Sequence, residues 1–319
     1  MPRYVLLCGG VGGAKLALGL SHVLAPDDLS IVVNTGDDFE HLGLTICPDI
    51  DTVLYTLGGV ANAAQGWGRE GESFAVLAEV KRLGGEDWFL LGDRDIALHL
   101  RRLALLKAGS TLTQATAELA QALGVRHRIL PMSDQPVSTM LDTDEGLLPM
   151  QHYFVRRRCA PIVRGVHFAG AAQALPSKEA MAALADPDLA GIIIAPSNPF
   201  LSVDPILALP GLRNALRARG VPVVAVSPVI AGQAVKGPAA KMMAELGHDV
   251  SALGIARIYG GLADLLLIDE KDAGLQALAG PGMPRLAVAQ TLMKTLEDRI
   301  GLARACLSAI AGMQGRRPS

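Results

Sequence analysis

Aromatic side chains are scarce in this 319-residue chain, at 4% of positions with only two tryptophans. Stacking surface is therefore confined to a few rings. Cysteine is also sparse: Cys8, Cys47, Cys159 and Cys306 stand far apart with no C-x-x-C pair, which argues against both a disulfide framework and a zinc site. A reducing cytoplasm is the expected compartment. Neither sign of charge dominates, because 29 Lys plus Arg nearly balance 31 Asp plus Glu, so no basic field points to nucleic acid. Any anionic ligand must be met by local groups. No uncharged apolar run reaches the length of a membrane span, and the apolar part of "MPRYVLLCGG" is too short for a signal peptide, so no membrane association is expected.

What is present is a large apolar fraction, half of the chain, which is ample for a full-sized core. Short continuous apolar runs alternate with longer amphipathic ones. "YVLLC" (4–8), "SIVVN" (30–34), "GIIIAP" (191–196), "VPVVAVS" (221–227) and "ADLLLID" (263–269) read as buried strands, and "GAKLALGLSHVL", "PILALPGLRNALRARG" and "PAAKMMAELG" as helices. This order predicts an α/β protein with a doubly wound, Rossmann-like parallel sheet, whose ligands sit outside the carboxyl ends of the strands. From about 52 to 170 the strand signal weakens. Stretches such as "DIALHLRRLALLKAG" and "TLTQATAELAQALG" predict a mostly helical insertion that covers the site, within a single catalytic domain spanning 1–319. The insertion is expected to close in "QHYFVRRRCAPIVRGVHFAG" as strands returning to the core, and "TLMKTLEDRIGLARACLSAIAG" reads as a C-terminal helix.

Candidate chemistry gathers at the predicted strand ends. In "LLCGGVGGAKLALGL" a strand runs into Gly9, Gly10, Gly12 and Gly13, then Lys15 and a helix. Backbone N–H groups and the helix dipole converge there on a spot suited to a phosphate; the alternative is a purely structural turn. The stretch lacks the Gly-Lys-Ser/Thr of a Walker A loop, and Lys15 stands where a dinucleotide fingerprint has its third glycine. The next strand ends in "NTGDDFEHLGLTICPDIDT", which opens with Asn34 and carries Asp37, Asp38, Asp49 and Asp51. Converging carboxylates repel unless a cation lies between them. Mg²⁺ is the economical candidate, since it takes one or two carboxylates and binds substrate phosphates. Asp37 and Asp49 are the expected metal ligands and catalytic pair, whereas Asp38 and Asp51 are either substrate contacts or turn and cap residues. Ser197 and Asn198 in "APSNPFLSVDPIL", and Ser227 and Lys236 in "VSPVIAGQAVKGPA", end two further strands. Each either faces a nucleotide or caps a helix.

Ten ordered segments, "GGVGGAK", "NTGDD", "CPDIDTVLYTLGG", "GWGRE", "WFLLGDRD", "FVRRR", "APSNP" with "PIL", "SPVIAG", "KGPA" and "TLMKTLED", resemble the 2-phospho-L-lactate transferase family of deazaflavin (coenzyme F-420) biosynthesis. The chain departs from that pattern at Ala240, at Gly260–Gly261 and at Leu98. The resemblance implies a cytoplasmic, Mg²⁺-dependent homodimer. Its reaction moves a phospho-acid from a guanylylated diphosphate, such as lactyl-2-diphospho-5'-guanosine, to the ribityl hydroxyl of the deazaflavin Fo, releasing GMP. A related group with the same core binds sugar nucleotides or dinucleotides as a regulator and shows an "ADDGGSSGRLR"-like stretch, where this chain has "NTGDDFEHLGL". An NAD-dependent dehydrogenase is disfavoured by Lys15 and by the surplus of carboxylates. For the Fo ring, Trp67 between two glycines is the expected contact, with Trp88 expected in the packed core of the insertion. Asp93, Arg94 and His99 are either polar contacts to Fo or members of ion pairs. In the run Arg156–Arg157–Arg158, strand alternation would turn Arg156 and Arg158 to the site.

Overall fold

The computed structural model describes residues 1–314 apart from Arg219 and Lys236. Seven parallel strands form the central sheet: β1 (Arg3–Cys8), β2 (Leu29–Val33), β5 (Arg128–Pro131), β9 (Leu189–Ile194), β10 (Val223–Val226), β13 (Leu265–Asp269) and β14 (Arg285–Ala289). Their spatial order is β14-β13-β10-β9-β1-β2-β5. The chain thus winds outward from β1 to β2 and β5 on one side, then restarts at β9 and winds outward the other way. The expected α/β doubly wound architecture is present, and its topological switch point lies between β1 and β9, where such sheets open a crevice at their carboxyl ends.

Alternation along the strands divides the core in two. Val5 and Leu7 of β1 join Ile192 and Ile194 of β9 on one face; Leu6 and Cys8 join Ile193 and Ala195 on the other. Helices α1 (Gly10–Ser21) and α2 (Pro48–Leu57) cover the second face together with α11 (Leu296–Gln314). Close approach here depends on Gly19, where an added Cβ would stand 2.1 Å from the carbonyl oxygen of Arg299. The first face is covered by α6 (Lys178–Leu184), α7 (Asp204–Leu207), α8 (Leu212–Ala218), α9 (Ala239–Glu245) and α10 (Ala252–Ile258). The segment expected as one helix from "PIL" to "RARG" breaks between α7 and α8, because Pro210 removes an amide donor and Gly211 sits at φ +79°.

The region 52–170 differs from the mostly helical insertion expected. Helices α3 (Ala75–Arg82), α4 (Asp93–Lys107) and α5 (Leu112–Ala122) are present, but β5 then returns to the central sheet beside β2. A separate antiparallel sheet follows, in the order β7-β6-β8, from β6 (Ser138–Thr143), β7 (Gly146–Pro149) and β8 (Val163–Ala169). β6 alternates buried with more open positions, β7 buries no residue and β8 buries only Val163, so these strands lack the continuous apolar runs that marked the central strands. "QHYFVRR" is not a strand: His152–Arg156 is a π-helical turn, and strand alternation does not govern its arginines. A small hairpin, β3 (Phe39–His41) and β4 (Leu44–Ile46), precedes α2. Its two-residue loop holds Leu42 and Gly43 at φ +52° and +73°, the twist that suits tight hairpins. A second small pair, β11 (Val229–Ile230) and β12 (Gln233–Ala234), follows β10. Among the described residues no helix is long and apolar enough to cross a membrane.

Candidate active site at the topological switch point

Three loops meet at the crevice: the turn from β1 into α1, the loop after β2, and the loop after β9. Asn34, fully buried at the end of β2, organises them. Its amide nitrogen lies 3.0 Å from Asp37 Oδ1, 3.0 Å from Asp49 Oδ2 and 3.2 Å from the carbonyl of Leu201. Its own oxygen accepts from the Gly36 N–H at 2.7 Å, which fixes the orientation of the amide. Asp37 and Asp49 therefore converge on a single nitrogen from different elements. Asp49 also accepts from the Gly10 N–H at 2.6 Å, and Asp37 from the Gln151 amide at 3.3 Å.

Both carboxyls are buried and perturbed. Burial raises Asp37 well above the ordinary carboxylate value, helped by the charges of Asp49 and Asp38. Burial likewise pushes Asp49 up to about 6, against the opposing hydrogen bonds from Asn34 and Gly10. Asp38 is also raised by burial, while the Cys47 thiol and Arg102 pull it down. Among the described residues no group of three or more His, Cys, Asp or Glu encloses an ion by itself. Two convergent hard oxygens whose ionised forms lack a nearby cation suit Mg²⁺, which completes its shell with water and substrate phosphate. Asp37 and Asp49 fit that ion.

The glycines serve close packing as well as any ligand. An added Cβ at Gly9 would stand 2.3 Å from Asp49 Oδ2 and 2.7 Å from Ser202 Cβ; at Gly12, 2.4 Å from the Pro196 carbonyl; at Gly13, 2.7 Å from Cys8 Cβ. Gly10 adopts φ +63°. The α1 N-terminus is thus pressed against the acidic helix and the β9 loop, with its first-turn N–H groups at the crevice. Ser197 locks this contact, donating to the Gly9 carbonyl at 2.7 Å. Lys15 reaches the Met293 carbonyl at 3.0 Å, tying α1 to the segment before α11.

Several candidates have structural duties. Asn198 caps the π-helical turn Pro199–Val203 through the N–H groups of Phe200 and Leu201. Ser227 closes a turn on Val229, and Lys236 lies outside the described residues. Asp51 is bound by the guanidinium of Arg102, which is fully buried. His99, 1% exposed, lies between Arg102 and Asp95 inside the α2–α4 contact. Asp93 accepts from Ser73 Oγ and the Val76 N–H, capping α3 across the chain, and the Arg94 guanidinium donates to the Glu70 carbonyl.

Of the two tryptophans, Trp67 is open and Trp88 is packed, as expected. Trp67 is 43% exposed, and no ring packs on it among the described residues. Trp88 stands instead in a cluster with Phe39 at 5.9 Å, His41 at 5.2 Å, Phe89 at 5.7 Å and His152 at 4.8 Å between centroids. The guanidinium of Arg156 lies 5.9 Å over its ring. The hairpin β3–β4 carries Phe39 and His41 directly after Asp37 and Asp38, so the cluster adjoins the acidic loop in sequence. Arg158 lies on an exposed turn at φ +49°. Gln151, Arg102, His41 and His152 were not foreseeable as site residues, because each acquires its place only when separate segments meet.

The family model "2-phospho-L-lactate transferase CofD" matches residues 4–280. The chain belongs to this family. It is 39% identical over 312 residues to a phosphoenolpyruvate transferase of Streptomyces griseus, covering 96% of this chain and 97% of the relative. It is 40% identical over 268 residues to a 2-phospho-L-lactate transferase of Methanosarcina mazei, covering 84% and 87%. In fold it is similar to a crystal structure of a UPF0052 family member from Bacillus halodurans, with a TM-score of 0.60, 16% identity and coverage of 96% and 98%. That likeness concerns architecture alone. The family match spans the acidic loop, the glycine turn and the β9 loop described above.

The raised carboxyls give a testable sign. A carboxyl whose folded pKa lies above its unfolded value favours the native state only while protonated, so its contribution is lost as pH rises from the ordinary value toward the folded one. For Asp49 that window ends near 6. Denaturant unfolding from about pH 4 to about pH 7 should show wild type losing stability relative to Asp49→Ala, and Mg²⁺ should restore it at the upper end. Parallel pH profiles for the two proteins would contradict the assignment.

Proposed function

We propose that this protein is a Mg²⁺-dependent transferase that moves a phospho-acid from a guanylylated diphosphate, such as lactyl-2-diphospho-5'-guanosine, to the terminal ribityl hydroxyl of the deazaflavin Fo, releasing GMP. Membership of the CofD family supports transfer of a phospho-acid. Relatives named for phosphoenolpyruvate and for 2-phospho-L-lactate match to similar extents, so enolpyruvyl, lactyl and glyceryl donors all belong in the test. The observation that carries the reading is the convergence of Asp37 and Asp49 on Asn34 beside the α1 N-terminus.

The reaction asks for little covalent work from the protein. The hydroxyl oxygen attacks the phosphorus that bears the acid, the bond from that phosphorus to the bridging oxygen breaks, and its electron pair leaves with GMP. Positioning and charge neutralisation dominate such transfers. Asp37 and Asp49 would hold Mg²⁺, which supplies positive charge against the diphosphate. The glycine turn offers first-turn N–H groups to a phosphate oxygen. A carboxylate of the cluster receives the hydroxyl proton. Asp38 suits that task, since its Oδ1 is buried without a hydrogen-bond partner and burial raises its affinity for a proton. The ring cluster around Trp88 supplies the flat surface for Fo.

The direct experiment incubates the protein with Fo, Mg²⁺ and each guanylylated donor while following GMP. One GMP released per Fo converted is expected, with turnover lowered at least about a hundredfold in Asp37→Asn and Asp49→Asn, the scale of lost transition-state electrostatics. Near-normal turnover in both variants with Mg²⁺ saturating would contradict the metal assignment. The acceptor side is separable. Trp88→Ala should raise the KM for Fo severalfold, reflecting loss of an aromatic partner of about 0.5–1.5 kcal/mol, while leaving the donor KM unchanged. Equal weakening of both substrates would show that Trp88 only supports the local fold.

A further inference from the structure

Helix α2 begins without the device that usually starts a helix. Its N-cap, Cys47, makes no side-chain cap hydrogen bond, and Pro48 follows at the first helical position. Asp49, which lies in the first turn where a carboxylate often serves its own helix, spends its oxygens elsewhere, on the Gly10 N–H and the Asn34 amide. Pro48 presets the first helical φ, and a tertiary contact adds to it in supporting this turn and with it the direction of the Asp49 carboxylate.

Arg102 of α4 does so from behind. Its guanidinium forms a fork on Asp51, with Nη2 on Oδ1 and Nη1 at 3.1 Å from Oδ2. Nη1 also lies 3.2 Å from the Thr45 carbonyl in β4 and 3.0 Å from His99 Nδ1. The two main attachments, Thr45 and Asp51, bracket Asp49 in sequence. One planar group thereby pins the strand before the helix and the helical turn after it. Fork geometry of this kind fixes orientation as well as distance, which an ammonium does not. His99 also lies 3.7 Å from Asp51 Oδ2 and carries the network on to Asp95, which binds the Tyr55 hydroxyl; that last hydrogen bond lies one helical turn beyond Asp51, at the α2–α4 contact.

We infer that Arg102 is a positioning residue for the proposed transfer: by bracketing residues 45–51 it aims the Asp49 carboxylate at Gly10 and Asn34, the orientation in which it would hold the ion. The inference rests on the metal reading above only for its catalytic consequence; the geometric part stands separately.

The test uses the whole protein. Arg102→Lys keeps the charge and loses the fork. The Gly10 amide proton, read by transverse-relaxation-optimised NMR, should move upfield and exchange with solvent at least about tenfold faster. The affinity for Mn²⁺ alone, measured by calorimetry, should fall by about the tenfold scale seen when outer-shell partners of a metal site are lost. Tyr55→Phe removes a hydrogen bond from the same network and should leave both readouts at wild-type values. Should Arg102→Lys fail to fold, the isosteric Asp51→Asn loosens the same fork and should move the Gly10 amide in the same direction. An unmoved Gly10 amide in a folded fork variant, or an equal change in Tyr55→Phe, would overturn the inference. Absence of Mn²⁺ binding by wild type would instead count against the metal assignment, and the Gly10 amide would still decide the role of Arg102.

Discussion

Two buried carboxylates meeting on one amide nitrogen set the terms for the rest of this structure. Asp37 and Asp49 come from different elements, each with its own burial cost, and their mutual repulsion is relieved only in part by Asn34, Gly10 and Gln151. Bringing such groups together disfavours the folded chain unless they are protonated or neutralised by a cation. A protein keeps an arrangement of this kind where binding supplies the missing charge, because a ligand that meets only the native state stabilises it in turn. Stability and function are therefore in tension at the switch point, and the packing around it is correspondingly tight.

That tightness explains the glycines differently from a simple phosphate cradle. Gly9, Gly12 and Gly13 lie where a side chain would collide with Asp49, the Pro196 carbonyl or Cys8, so they are required before any ligand arrives. Closeness of α1 to the acidic helix is what directs the Gly10 N–H to Asp49. The same closeness leaves the helix dipole facing the crevice, so packing and anion affinity follow from one set of small residues.

Much of this was legible in the chain. Continuous apolar runs marked five of the seven central strands, and a strand running into a glycine-rich turn located the β1–α1 corner. The acidic stretch after β2 singled out Asp37 and Asp49 from four carboxylates, and the structure brings these two together on Asn34 while Asp51 pairs with Arg102. Of the antiparallel sheet only β8 fell in a stretch read as strands; β6 and β7 were not legible, because a half-buried alternating strand such as "STMLDT" resembles polar helix surface at this length. Trp67 read as open and Trp88 as packed, and both hold; the flanking residues could not show which partners pack on Trp88, because Phe39, His41 and His152 reach it from two other segments. The duties of Asp51 and His99 depend on Arg102, half a hundred residues away from Asp51 in sequence, and no local pattern announces that partnership.

The central claim is that Asp37 and Asp49 hold a divalent cation against a phosphate of the donor. It is tested most directly by ³¹P NMR of GDP in the presence of the protein and substoichiometric Mn²⁺. The account predicts strong paramagnetic broadening of the β-phosphate signal with wild type, well beyond that from Mn²⁺ and GDP alone, and loss of that excess in Asp37→Asn and Asp49→Asn. Excess broadening that persists undiminished in both variants would place the ion elsewhere and contradict the account.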